Sequence, residues 1–184
     1  MSVQMILGIV LIAAAVAVPS FFFLLWARTT GPRFESSRFK SGFGGWMVVF
    51  LIGQVAVTER LLYQGVLAAG SMPWEKIGLG ENFFAAVVSV GPFFIQAALG
   101  IAMLFILITN RTPAALASVV ILLWLMGPVA VLVENWYFSL ISSTLALTEI
   151  FIWAIGWTAY LTLSPRAALT YGTKRGRRIA TAIT

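Results

Sequence analysis

The sequence predicts an all-α fold: a polytopic integral membrane helical bundle of five transmembrane helices, one N-terminal helix followed by a four-helix core. Three observations predict it. Of 184 residues, 60% are hydrophobic and 10% are charged, whereas a soluble domain carries about 25% charged residues. The apolar residues gather in runs long enough to cross a hydrocarbon core of about 30 Å at 1.5 Å per helical residue. The charged residues collect between those runs rather than alternating with apolar ones, which is the pattern of a membrane chain.

The first span is "QMILGIVLIAAAVAVPSFFFLLW", residues 4–26. A secretory signal is the rival reading, since Ala15-Val16-Ala17 looks like a cleavage site. The absence of a basic leading segment and the continuing run Phe21-Phe22-Phe23 favour a retained helix. Residues 27–42 form a basic linker with Arg28, Arg33, Arg38 and Lys40. The core, 43–163, then opens with a second span over 43–70 and a Pro- and Gly-punctuated loop over 71–82. A third span covers 83–108. In the turn "TNRTP", 109–113, Thr112 can cap the next helix, with Pro113 at its first position. Residues 114–163 are almost unbroken apolar sequence. Fifty helical residues would reach roughly 75 Å, so the stretch must fold back once. The cluster "ENWYFS", 134–139, is the expected bend, giving spans at 114–133 and 140–163. A basic tail, 164–184, closes the chain.

Five spans place the 27–42 linker, the 109–113 turn and the tail on one side. That side holds ten of the twelve Lys and Arg; Lys76 lies opposite, and Arg60 is within a span. The positive-inside rule then puts the N-terminus outside and the C-terminus in the cytoplasm. Trp26, Trp46, Trp74, Trp136 and Tyr137 fall near span ends, where an aromatic belt sits. The net charge of +6 reads as attraction to anionic lipid headgroups rather than nucleic acid. Arg166, Lys174, Arg175, Arg177 and Arg178 of the tail are the expected headgroup or partner contacts.

There is no His, no Cys and no Asp. Haem ligation by imidazole, zinc sites, iron–sulfur clusters and disulfides are disfavoured, and a Ser-His-Asp or Cys-His nucleophilic site cannot be built. No catalytic residue, metal or cofactor is expected. The chemistry-bearing groups are instead polar residues inside the spans: Glu59, Arg60, Gln64, Gln96, Glu134 and Glu149. An unpaired charge in hydrocarbon costs roughly 2.5–3.5 kcal/mol even on lenient insertion scales. Counted from the cytoplasmic ends, Arg60 lies roughly 27 Å deep, Gln96 roughly 21 Å and Glu149 roughly 22 Å. Comparable height makes Glu149 the expected partner of Arg60, with Glu134 second and the glutamines adding hydrogen bonds. Glu59, about 100° away on its helix, faces elsewhere. Trp46, Gly53, Arg60 and Gln64 share a face that should pack on another helix. Such a cluster reads either as interhelical glue or as a proton, ion or ligand site. Pro19, Pro92 and Pro128 lie within spans, where they kink helices and shape packing or free carbonyls to line a site.

"SGFGGWMVVFLIG", 41–53, resembles the Gly-Gly-Trp entry of the bacterial membrane proteins grouped as domain of unknown function 2569. The last span, with Trp153, Trp157 and Tyr160, runs into "SPRAALTY", where Ser164, Arg166, Thr170 and Tyr171 match that family's closing motif. The resemblance covers about residues 41–171 and departs at Pro165 and Ala168, where the family carries further basic residues. It implies a four-helix membrane core and no assigned activity. Two functions follow as expectations. The first is a non-catalytic accessory, assembly or scaffolding subunit of a larger membrane complex, contacting membrane lipids and that complex. The alternative is a small transporter or channel using Arg60 and Glu149.

Overall fold

The computed structural model describes residues 3–36, 39–73, 81–138 and 144–182. Among them there are seven helices and no strand. Helix α1 spans Val3–Thr29, α2 Trp46–Ser71 and α3 Glu81–Thr109. Helix α4 is continuous but mixed: α-helical over Pro113–Trp124, π-helical over Leu125–Val129 and α-helical again over Ala130–Phe138. Helix α5 spans Thr144–Leu163, and two short helices follow, α6 over Pro165–Tyr171 and α7 over Lys174–Thr181. Three helices are long and apolar enough to cross a membrane: Trp46–Ser71, Phe83–Thr109 and Pro113–Trp136. Two shorter apolar segments, Ala13–Thr29 and Leu147–Leu163, accompany them.

The helix starts obey local chemistry. Thr112 Oγ1 accepts a hydrogen bond from the Ala115 amide at 3.1 Å, and Pro113 opens the helix where its missing N–H costs nothing. Ser164 caps α6 with Pro165 behind it, and Thr173 caps α7 through the Gly176 amide at 3.2 Å. At the start of α2, Gly45 has φ +58°, a region that side-chain-bearing residues enter at a cost. One sequence boundary differs. The bend expected at 134–139 is helical through Phe138, so Glu134, Asn135 and Trp136 belong to α4 itself. Residues 139–143, which complete the expected bend and open the expected fifth span, lie outside the described residues.

Helices α2 to α5 pack around a core that includes Met47, Phe50, Leu107, Val119 and Leu161, all fully buried. Small residues let the backbones approach, as membrane bundles require. A Cβ on Gly100 would come within 2.4 Å of the Thr58 hydroxyl, so α2 and α3 touch almost backbone to backbone there. A Cβ on Gly53 would meet the Trp153 ring at 2.9 Å, which sets α5 against the face of α2 that carries Arg60 and Gln64. Helix α1 joins the bundle through Ala27, which is buried with Leu51, Val55, Leu104 and Ile108.

The linker, the 109–113 turn and the post-α5 segment meet at one end of the bundle. Backbone amides of Arg33 and Phe34 donate to the carbonyls of Thr170 and Leu169 at 3.1 and 3.0 Å, satisfying groups that the end of α6 would leave bare. The Gly42 amide donates to Thr170 Oγ1 at 3.0 Å. The Arg166 guanidinium lies over Gly44 and Gly45, where a Cβ would come within 3.1 and 2.6 Å of it. The two stretches that carry the family resemblance, 41–53 and 164–171, are therefore in direct contact.

Candidate functional site: a polar cavity between the helices

A cavity of about 460 Å³ lies between α2, α3, α4 and α5. Its polar lining is Gln54, Arg60 and Gln64 from α2, Gln96 from α3, Glu134 from α4 and Glu149 from α5. Five of the six intramembrane residues singled out in the sequence thus converge on one space. Glu59 is the exception. It is half-buried and does not line the cavity, as its angular offset from Arg60 requires.

The cavity is not a set of matched pairs. Gln96, which is buried, donates through Nε2 to Glu134 Oε1, joining α3 to α4. Arg60 and Glu149 border the same space. Yet among the described residues no basic nitrogen comes within 4.0 Å of a carboxylate oxygen. The contact expected between Arg60 and Glu149, or Glu134, is therefore not made. Both Arg60 and Glu149 are exposed in the bundle, so burial does not drive either charge onto the other.

Two features were not read from the sequence as part of the site. Gln54 is almost fully buried. Its Nε2 lies 3.1 Å from Met126 Sδ, and its Oε1 has no partner. An amide in a membrane span is the same signal that marked Gln64 and Gln96. The second feature is the π-helical turn, Leu125–Val129. Pro128 has no amide to give the ladder, and the widened turn accommodates this, with the Ala130 amide reaching back to the Leu125 and Gly127 carbonyls. Met126, Gly127 and Pro128 form part of the cavity wall. Of the three span prolines, Pro128 alone is among the lining residues.

No protein-family model, characterised protein or solved structure matches the chain.

A second polar centre sits at the linker end. Arg111, 7% exposed, donates to the Leu107 carbonyl, to Tyr171 Oη at 3.1 Å and to the Ala27 carbonyl at 3.0 Å. Its guanidinium stacks 5.3 Å from the Phe43 ring centroid and 5.4 Å from that of Tyr171. Tyr171, fully buried, donates to the Leu107 carbonyl at 2.6 Å. Burial lowers the Arg111 guanidinium from its ordinary value, opposed by the Tyr171 oxygen, and pushes the Tyr171 hydroxyl well above the ordinary tyrosine range. The sequence presents Arg111 only as a topology charge; its match with Tyr171 of the closing motif becomes visible once the helices are placed. This centre packs on aromatic rings and backbone and holds three parts of the chain together, with Arg111 Nε left without a partner among the described residues.

The basic tail divides. Arg166 is turned onto the linker, with Nε 3.4 Å from the Lys40 carbonyl, and Arg175 donates to the Leu163 carbonyl at the end of α5. Lys174, Arg177 and Arg178 are exposed on α7 and are the members free to meet headgroups.

Proposed function

We propose that this chain is a small multi-pass bacterial inner-membrane protein that binds a polar or amphiphilic small molecule in its intramembrane cavity, as a carrier or channel does. The proposal includes five spans, N-terminus outside, C-terminus cytoplasmic, no catalytic activity and no nucleic-acid partner. One observation carries it: Arg60, Gln64, Gln96, Glu134 and Glu149 border one cavity, with Arg60 and Glu149 not neutralising each other. Glue would be expected to pair its charges, because uncompensated charge in hydrocarbon is expensive. Charges held apart around a space of this size instead leave donors and acceptors for a guest. Membership of the family of unknown function named above is part of the same proposal and rests on the sequence resemblance alone.

The accessory-subunit reading keeps one supporting observation. Phe21, Phe22, Leu25 and Trp26 of α1 form an exposed apolar face that a larger complex would cover as well as lipid does. The two readings separate by experiment. R60Q, E149Q and the double variant are purified in mild detergent and compared by elution profile and thermal midpoint. A ligand cavity predicts that all three fold like the parent. Structural glue predicts single variants that lose folded yield and a double that recovers it. Co-purification of one stoichiometric large partner from native membranes favours the accessory role.

A further inference from the structure

Beside the cavity runs a groove of about 1050 Å³. Trp46, Glu149, Trp153, Gly156, Trp157 and Tyr160 line it, and Glu149 and Trp153 belong to both spaces. On α5, Glu149, Trp153, Gly156 and Tyr160 recur at helical spacing, so one face carries a carboxylate followed by aromatic rings. The rings are fixed by mutual contact. Trp153 and Trp157 stand edge to face at 5.5 Å, Trp157 and Tyr160 at 5.8 Å, and Phe50 holds Trp157 from behind at 4.9 Å. Trp46, 65% exposed, closes the far side from α2. Glu149 is exposed on a helix surface with no described basic nitrogen within 4.0 Å.

We propose that this groove binds a membrane-soluble organic cation: a quaternary or otherwise permanently charged centre carried on an apolar body. The chemistry follows from the wall. Aromatic faces attract a cation placed within about 6 Å of the ring centroid, and more strongly where water is excluded. Glu149 supplies the counter-charge, and the apolar surface of Trp46 and Gly156 receives the hydrocarbon body. Acyl chains alone would satisfy the rings and leave the carboxylate uncompensated. A second copy presenting the same face would bring a like charge against Glu149. The inference names a ligand class for the cavity reading and rests on it, since the guest enters the cavity past Glu149.

The test uses the full chain in nanodiscs and the cation tetraphenylphosphonium. Its isosteric anion, tetraphenylborate, is the control for shape. Saturable binding, read by tryptophan quenching and by labelled-ligand retention, is expected for the cation and not for the anion. E149Q and W153A should each weaken it by about tenfold, the scale of a desolvated charge or cation–π contact. E149D should retain binding, and E35Q, on the exposed linker, should equal the parent. Equal binding of cation and anion overturns the proposal. So does parental affinity in an E149Q preparation of normal elution profile, or self-cross-linking of W153C in native membranes that places a second copy in the groove. If E149Q does not fold, the contrast between cation and anion in the parent decides alone. Uptake into proteoliposomes is measured separately. Binding without uptake refutes the carrier reading and leaves the groove assignment standing. Uptake of another solute through the cavity, without binding of the cation, refutes the groove assignment and leaves the carrier reading.

Discussion

Arg111 holds three parts of the chain at once: the end of α1 through the Ala27 carbonyl, the end of α3 through the Leu107 carbonyl, and α6 through Tyr171. Its value lies in the planar fork of donors, which lysine lacks. R111K should therefore keep topology and lose most of the contact, lowering stability by about 1.5–3 kcal/mol, the range for hydrogen bonds to a charged group. Thermal unfolding in detergent checks this; a parental midpoint for R111K would show that charge alone matters. Tyr171 gives a pH signature. Burial raises its folded-state pKa above the ordinary value of 10.0. A raised pKa means the folded state favours the neutral phenol. The contribution is therefore complete below pH 10 and is lost as pH rises beyond it. Thermal midpoints measured across that window should fall more steeply for the parent than for Y171F; parallel curves would contradict the burial argument. Neither role is legible at residue scale from the sequence, because Arg111 and Tyr171 lie sixty positions apart.

At the scale of elements, α6 and α7 form a tight pair in which Gly176 lies against the backbone of α6. A Cβ there would come within 2.1 Å of the Ala168 carbonyl oxygen and 3.0 Å of the Leu169 nitrogen. Backbone cannot swing aside as a side chain can, so G176A should cost about 1–3 kcal/mol, as overpacking does, and expose the pair to protease. Limited proteolysis of the membrane-embedded protein reads this directly; unchanged cleavage in the last twenty residues would refute the contact. The elements differ in how plainly they were written. The start of α4 was legible in Thr112 and Pro113, whose capping chemistry is local. Its end was not. Glu134, Asn135 and Trp136 look like a loop because they are polar or belt-forming, yet Glu134 stays helical and faces inward to Gln96. A polar residue marks either a helix end or a helix interior, and only the partner on another helix distinguishes them. The π turn is likewise invisible beforehand: Gly-Pro announces an irregularity without saying how the ladder closes around it.

For the whole molecule, counting depth from the basic ends puts Arg60, Gln96 and Glu149 at one level. All three border one cavity, and the linker, the 109–113 turn and the post-α5 segment gather at one end of the bundle. What counting does not supply is rotation, and rotation decides whether two charges at one height touch or face each other across a space. The topology implied by the basic residues has its own check. A reporter active only in the periplasm, fused after Thr184, should stay silent, and activity there would invert the arrangement. If the cavity is a polar space open to guests, it can be probed with single cysteine substitutions, because the chain has no native cysteine. On α4, Val131 lines the cavity while its neighbour Leu132 is exposed on the outer surface of the bundle. In native membranes, V131C and Q64C should react with a small water-soluble thiol reagent, and L132C, in lipid, should not. Equal protection of V131C and L132C, in variants that both fold, would contradict the cavity and the function built on it.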